Sequence, residues 1–209
     1  MWERKQTVEA LTRDREAGQA PVVLQLRPVL ELTDEQLYGF SQLNRDLRIE
    51  RNAEGELVIM PPTGGETGRR NAEITVQLGV WARSDGTGVI FDSSTGFHLP
   101  NGAVRSPDVA WVRRTQLASL SVEQRQQFTP LCPDFVIELR SNTDSLSLLQ
   151  GKMQEYLDNG AQLCWLIDPE QRRVHVYRPG VSVEVMENPE AISGAPMLAG
   201  FSLDLRQVW

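Results

Sequence analysis

The sequence contains little cysteine and little histidine. Its 209 residues include only two cysteines, Cys132 and Cys164, only two histidines, and no C-x-x-C motif. A structural zinc site needs about four cysteine or histidine ligands, so we expect no such site in this protein. Two free thiols are typical of a protein in a reducing cytoplasm.

Long apolar runs and an excess of basic residues are also missing. No stretch reaches the roughly 18 apolar residues that span a membrane, and the charged start MWERKQTVEALTRDREAG does not resemble a secretory signal. The net charge is −7, whereas passive nucleic-acid binders usually carry a surplus of Lys and Arg. If this protein handles nucleic acid, a metal ion or a local basic stripe must offset its acidity.

The order of predicted elements defines the fold class. Hydrophobic residues make up 40% of the chain and charged residues 23%, as in ordinary globular domains. We expect residues 1–28 to form a polar, helical N-terminal extension and residues 29–209 to form one domain. The sequence predicts a helix, a hairpin, a second helix, strands, a third long helix and further strands. This order indicates an α/β or α+β fold with a mixed central sheet flanked by helices.

Local signals place the first helix and hairpin. The capping box Thr33–Gln36 predicts a short helix with Leu37, Phe40 and Leu43 facing inward. The segments LRIER and ELVIMPP flank NAEG, which indicates a hairpin with Gly55 in its turn.

Charged residues occur at the edges of three apolar elements. In the predicted strand 134–140, Glu138 and Arg140 share one side, because strand side chains alternate with a period of two. Asp108 lies at the start of the apolar run in SPDVAWV. In the predicted helix 145–159, Lys152 borders the buried stripe, and Glu155 is expected on the outer side.

Each of these charges has an ordinary structural interpretation. Lys152 can run its stem along the core with its ammonium in water, Glu138 can pair with Arg140, and Asp108 can be a turn residue. Buried charges are costly unless they are paired or bound to metal, so three such positions together favour a functional site. Two carboxylates suit Mg²⁺, and a nearby lysine can orient a water and stabilise charge during phosphodiester hydrolysis.

Several blocks of the sequence resemble one known family. These blocks are MPPTGGETGRRNAEI, GFHLPNGAVRSPD, SPDVAWV, CPDFVIELRS, DSLSLLQGKMQEYLDNGAQLCWLIDP and VHVYRPG. They are similar to the Uma-two-like restriction endonuclease family of the PD-(D/E)XK nuclease superfamily, over residues 30–205. The resemblance implies a restriction-endonuclease-like core, with Asp108 and Glu138 as metal-binding acids. It also implies Mg²⁺ as cofactor, with Mn²⁺ as a substitute, and DNA as the partner.

The sequence departs from the superfamily motif at one position. The lysine expected two residues after the glutamate is Arg140, which stays protonated and can bind phosphate but cannot act as a base. One interpretation is that the site is impaired. The interpretation that we favour is that the lysine has moved to the following helix as Lys152, where it can reach the same space.

The first long helix offers a fourth candidate. Glu66 and Glu73 are seven residues apart, with Arg70 between them, so they share one stripe if the helix includes Glu66. This arrangement is either a surface ladder of ion pairs or a source of an auxiliary acid. We rank Glu66 above Glu73 for the catalytic role, because Glu66 lies in the family-like block.

Two main functions remain open from the sequence, with hydrolysis of RNA or of another phosphate ester as a weaker third. The first is a Mg²⁺-dependent DNA endonuclease with Asp108, Glu138, Lys152 and Glu66 as catalytic residues and Arg140 as a phosphate contact. The alternative is a catalytically inactive binding or assembly module with the same fold. By analogy with superfamily nucleases, we expect a cytoplasmic homodimer, in which the strands VHVYR and VSVEVM could pair with a second copy.

Overall fold

The computed structural model describes residues 21–209, which form five helices and three β-sheets. The helices are α1 (Asp34–Leu43), α2 (Gly65–Asp85), α3 (Arg114–Ala118), α4 (Val122–Gln126) and α5 (Leu146–Asp158). The strands are β1 (Val22–Leu24), β2 (Arg48–Arg51), β3 (Leu57–Met60), β4 (Gly88–Asp92), β5 (Phe97–His98), β6 (Val104–Arg105), β7 (Val109–Arg113), β8 (Phe135–Leu139), β9 (Leu163–Asp168), β10 (Arg173–Tyr177), β11 (Glu184–Glu187), β12 (Ala191–Ser193) and β13 (Ser202–Asp204).

The central sheet has six strands in the order β11-β10-β9-β8-β7-β4. The pair β8–β9 is parallel and the other neighbours are antiparallel, so the sheet is mixed. The predicted fold class, a mixed α/β architecture with helices beside a mixed sheet, is confirmed.

Both faces of the central sheet are covered, which explains why β8 reads as a continuous apolar run. One face packs against Ile74 and Leu78 of α2 and against the C-terminal segment around Phe201. The other face packs against Met153 and Tyr156 of α5. Strand alternation therefore directs Glu138 into the α5 side of the core, where every residue of β8 is buried.

A second, antiparallel sheet has the order β1-β3-β2-β6-β5. The predicted hairpin is its β2–β3 pair, in which Gly55 takes a φ of 87°, a left-handed conformation that glycine adopts at little cost. Strand β6 pairs with β2 through Val104 and Arg51, and it lies just before Asp108 in the chain. This connection brings the small sheet close to the start of β7 in the large one.

The N-terminal prediction lies largely outside the described residues. We expected a polar helical extension over residues 1–28. The structure does not describe residues 1–20. Residues 22–24 form β1, which pairs with β3. In residues 21–209, no helix combines the length and the apolar character needed to cross a membrane.

Helix α1 differs from its predicted burial. The Thr33 hydroxyl accepts from Gln36 N, and the Gln36 side chain accepts from Thr33 N, as the capping box predicts. Leu37 is fully buried, but Phe40 is 38% exposed and Leu43 is 86% exposed. At about 100° per residue, Leu43 lies about 120° around the helix from Leu37. A helix that packs with only one narrow stripe therefore leaves Leu43 in solvent.

Candidate active site

Asp108 is held at the junction of two strands and a helix. Its Oδ2 accepts a hydrogen bond of 2.9 Å from the backbone N–H of Leu139, directly after Glu138. Its Oδ1 accepts from Asn71 Nδ2 of α2 at 3.2 Å and lies 3.4 Å from Arg48 Nη1. These contacts fix the Asp108 carboxylate beside the end of β8.

Glu138 and Lys152 meet inside the protein. The Nζ of Lys152 lies 2.8 Å from Oε1 of Glu138, and the Tyr156 hydroxyl donates to the same oxygen at 3.2 Å. Glu138 is 3% exposed as a residue, and the Lys152 side chain is 11% exposed. The structure thus brings the predicted strand acid and the predicted helix lysine together, with the anchored Asp108 on the neighbouring strand.

Glu50 is a second partner of Lys152 that the sequence analysis did not identify. Its Oε1 accepts from Lys152 Nζ at 3.0 Å and from Ser106 N at 2.9 Å, and its Oε2 lies 3.3 Å from Arg105 Nη1. Glu50 belongs to β2 and is only 2% exposed. In the sequence, Glu50 is only an acid within RIER, an otherwise strand-like segment. The sequence does not show that both sides of this strand are buried.

Helix α5 has a second buried side, which corrects one sequence expectation. Glu155 was expected on the outer side of the helix, but its Oε2 lies 2.6 Å from Arg105 Nε and its side chain is 15% exposed. Met153 and Tyr156 face the central sheet, while Lys152 and Glu155 face charged residues of the small sheet. The packing of this second sheet against α5 could not be read from the helix pattern alone.

Burial and neighbouring charges give Glu138 and Glu50 very different pKa values. Burial raises the pKa of Glu138 to about 7, with Asp108 and Glu50 adding to the rise and Lys152 opposing it. Burial also acts to raise the pKa of Glu50, but the cations around it outweigh this effect and hold its pKa at about 2. Burial disfavours the ammonium of Lys152, yet the two glutamates raise its pKa, so Lys152 stays charged.

Arg140 is engaged away from this cluster. Its Nη1 lies 2.6 Å from Oδ2 of Asp168, which is fully buried at the end of β9, and its Nε donates to the Asp144 carbonyl at 3.3 Å. Arg140 therefore ties the ends of β8 and β9 to the loop before α5. In this arrangement its guanidinium has a carboxylate partner already.

Glu66 lies on the exposed first turn of α2. Its side chain is 58% exposed and pairs with Arg69 at 2.6 Å and with Arg70 at 3.4 Å. Within the described part of the chain, its contacts are to arginines of its own helix rather than to Asp108, Glu138 or Lys152. Helix α2 instead contributes the amide of Asn71 to the acid cluster.

The donor set suits a hard divalent cation that keeps most of its waters. Across residues 21–209, no three His, Cys, Asp or Glu side chains form a ready-made metal cage. Mg²⁺ commonly uses only one or two protein carboxylates together with water and phosphate oxygens. Glu138 uses Oε1 for both Lys152 and Tyr156, which leaves its Oε2 without a hydrogen-bond partner among the described residues. Asp108 and Glu138 thus fit a site of this type.

Comparison with known proteins places the chain in a family. The sequence profile of the Uma2 family, described as "Putative restriction endonuclease", matches residues 30–206. A crystal structure described as a "putative nuclease belonging to DUF820" from Anabaena variabilis ATCC 29413 is similar in fold. It has a TM-score of 0.66 and 21% sequence identity, over 77% of this chain and 88% of that chain. The curated proteins that were compared gave no match.

The profile match covers most of the chain, including every element that carries Glu50, Asp108, Glu138 and Lys152. The mixed central sheet, the acid at the start of β7 and the acid near the end of β8 occur within the matched range. The chain belongs to the Uma2 family of restriction-endonuclease-like proteins.

Proposed function

We propose that this protein is a Mg²⁺-dependent endonuclease that hydrolyses phosphodiester bonds in DNA. The observation that carries the proposal is that Lys152 Nζ lies 2.8 Å from Glu138. The Asp108 carboxylate lies beside this pair and accepts a hydrogen bond from Leu139 N. Acids from two neighbouring strands and an amine from a helix converge here. Family membership supports the same class of reaction.

Asp108 and Glu138 are the proposed metal ligands. These two carboxylates would hold Mg²⁺, or Mn²⁺ in its place, which would supply a water of lowered pKa and offset negative charge on the reacting phosphate. The contacts from Leu139 N and Asn71 hold the Asp108 carboxylate in one orientation. Val109 pairs with Ile137, so Asp108 and Glu138 are the next neighbours across β7 and β8.

Lys152 acts as a charge stabiliser rather than as a base. Its raised pKa keeps the ammonium protonated. Two of its three N–H groups point to Glu138 and Glu50, and the third can donate to a phosphate oxygen. Burial strengthens these interactions, because water screens them less. This assignment places the lysine of the superfamily motif on α5 instead of two residues after Glu138.

Glu50 has a role in the site that differs from the auxiliary-acid role expected for Glu66. We propose that Glu50 positions the ammonium of Lys152, since it binds Nζ at 3.0 Å and is itself anchored by Ser106 N at 2.9 Å. Removal of Glu50 would leave Lys152 free to swing towards Glu138 alone. Glu66, with its exposed arginine partners, has no comparable access to Lys152.

Nicking of supercoiled plasmid DNA tests the proposal. Wild-type protein should nick with Mg²⁺ or Mn²⁺ and not with EDTA. Asp108→Asn and Glu138→Gln should each abolish nicking, while Arg83→Gln, a change at an exposed position of α2, should not. Equal nicking by the wild type and both acid variants would reject this function.

One observation favours the alternative of a non-cutting binding module. The ammonium of Lys152 is already shared by two carboxylates, and Arg105 links Glu50 to Glu155, so each of these carboxylates has a cationic partner without a metal. A calorimetric titration with Mn²⁺ discriminates between the two functions. Binding that Asp108→Asn abolishes supports the nuclease, whereas no binding to the wild type supports the binding module.

We also propose a homodimer acting on DNA in the cytoplasm, since cleavage of both strands requires two sites. The central sheet ends at β11, an edge strand next to exposed Val181, Val183 and Val185. Unpaired edge strands can pair with a second chain. Light scattering coupled to gel filtration should give twice the monomer mass, and a Val183→Lys substitution should shift the mass towards the monomer.

A further inference from the structure

A cleft of about 500 Å³ opens beside the acid cluster. Its walls include Ser41, Arg45, Arg48, Ser94, Ser106 and Phe128. Two of these residues also touch the acids: Arg48 Nη1 lies 3.4 Å from Asp108, and Ser106 N donates to Glu50 at 2.9 Å. The cleft therefore shares two wall residues with the proposed catalytic site.

Two polar atoms of residues in this wall lack a partner. Ser41 Oγ and Arg48 Nε are buried atoms without a hydrogen bond among the described residues. Buried polar atoms in folded proteins nearly always have a protein or water partner. Both residues line the same cleft, but the two atoms themselves are closed off from solvent, so a ligand in the cleft does not reach them as the side chains stand.

The chemistry of the walls suits an anionic, hydroxyl-bearing ligand. The lining includes two arginines, Arg45 and Arg48, one acid, Asp46, and several serines. Arg48 is paired with Asp108 at 3.4 Å, so Arg45 is the arginine with donors available to a ligand. Arg45 is exposed, and its Nε donates only a backbone hydrogen bond, to Gln42 O at 3.2 Å, so its remaining donors face solvent. Arginine donors of this type bind phosphate oxygens well.

An aromatic ring closes one side of the cleft. The Phe128 ring meets the Tyr38 ring edge-on, with centroids 5.3 Å apart at 89°. A Cβ on Gly96 would come within 2.3 Å of the Phe128 ring, so only glycine permits this close approach. The ring is held in a defined place, and a nucleobase can stack on such a surface.

We propose that this cleft binds one nucleoside phosphate unit of the DNA, next to the phosphate that is cut. The inference rests on the proposed nuclease function and assigns the substrate contacts of the same site. Arg45 holds the phosphate, and Phe128 stacks with the base. The volume agrees, since small-molecule sites span roughly 300–1,000 Å³.

The test is a titration of the full-length protein with thymidine 5′-monophosphate in EDTA, followed by ¹H–¹⁵N NMR. The amide signals of residues 41–48 and Phe128 should shift most. Arg45→Gln should weaken binding about tenfold, as expected for the loss of one charge-assisted contact. Phe128→Leu should weaken binding in the same direction, and Arg83→Gln, the matched exposed arginine, should bind as the wild type.

Two further ligands distinguish a nucleotide site from a simple anion site. Thymidine without phosphate should bind more weakly than the nucleotide, and so should inorganic phosphate alone. Phosphate that binds as tightly as the nucleotide would overturn the proposal, as would equal binding by Arg45→Gln and wild type. The binding test is run in EDTA, so its outcome does not depend on cleavage. Nucleotide binding at this cleft by a protein that fails to nick plasmid DNA in Mg²⁺ or Mn²⁺ would reject the nuclease function and leave the binding site in place.

Discussion

Lys152 Nζ lies 2.8 Å from Oε1 of Glu138. Lys152 belongs to α5, and Glu138 belongs to β8 of the sheet on which α5 packs. The same ammonium lies 3.0 Å from Glu50 of the small sheet. One buried cation thus joins the two sheets and α5 at the proposed site. Because the same contacts stabilise the fold and arrange the catalytic groups, changes at these residues should alter both properties in measurable ways.

Replacement of Lys152 should be costly to stability. The chain has only two lysines, Lys5 and Lys152, against nineteen arginines, so a lysine at this position is a distinctive choice. Lys152→Met leaves two buried carboxylates without their shared cation and should lower the free energy of unfolding by about 3–5 kcal/mol. Urea denaturation measures the change.

The conservative replacement separates charge from shape. Lys152→Arg keeps the positive charge, so it should retain more stability than Lys152→Met, but its larger, planar guanidinium should not restore plasmid nicking. Equal stability of Lys152→Met and wild type would contradict the buried ion-pair network.

The metal-free protein should lose stability contributed by Glu138 as the pH rises. The folded pKa of Glu138 is about 7, above its usual value, so its contribution is present at low pH and is lost as pH rises towards 7. Glu138→Gln should therefore match the wild type near pH 5 and exceed it at pH 8 by roughly 3 kcal/mol. Urea denaturation in EDTA at both pH values measures this difference.

Divalent metal should reverse that difference. If Glu138 binds the ion, Mg²⁺ or Mn²⁺ at pH 8 should stabilise the wild type and leave Glu138→Gln nearly unchanged. In EDTA, a stability difference between the wild type and Glu138→Gln that does not change with pH would show that the pKa of Glu138 is not raised.

Substitution of Glu50 should lower the nicking rate, whereas substitution of Glu66 should not. Glu50→Gln weakens the anchor of Lys152 and should lower the nicking rate about 100-fold, as small misplacements of catalytic groups do. Glu66→Gln removes only exposed contacts to Arg69 and Arg70, so nicking should persist and stability should change by less than about 0.5 kcal/mol. Loss of nicking in Glu66→Gln with normal folding would restore Glu66 as the auxiliary acid.

Arg140 should prove structural. Arg140→Gln leaves Asp168 buried without its cation and should destabilise the fold by about 3 kcal/mol. The exposed pair of Arg173 with Glu187 offers a control, since Arg173→Gln should cost less than about 1 kcal/mol.

DNA binding at several salt concentrations decides between the two roles of Arg140. A structural residue leaves the slope of log affinity against log salt unchanged, whereas a lost phosphate contact lowers the slope by about 1. A lower slope in Arg140→Gln would show that Arg140 contacts DNA as the sequence pattern suggested.

Local sequence signals were sufficient for the elements and for part of the candidate site. The capping box at Thr33, the turn at Gly55 and the apolar run of β8 each depend on neighbours within a few residues, so the sequence revealed them. Alternation along β8 and the helical period of α5 were enough to select Glu138 and Lys152 as residues at the edge of the core. Their direct contact needed the structure.

Only the tertiary structure decided which charges share the interior. Glu50, the inward position of Glu155 and the pairing of Arg140 with Asp168 all depend on elements far apart in sequence. A periodic pattern defines the faces of a strand or helix, but it does not identify what packs on each face. The small sheet covers a side of α5 that the pattern assigns to solvent, and burial there makes each charge require a specific partner.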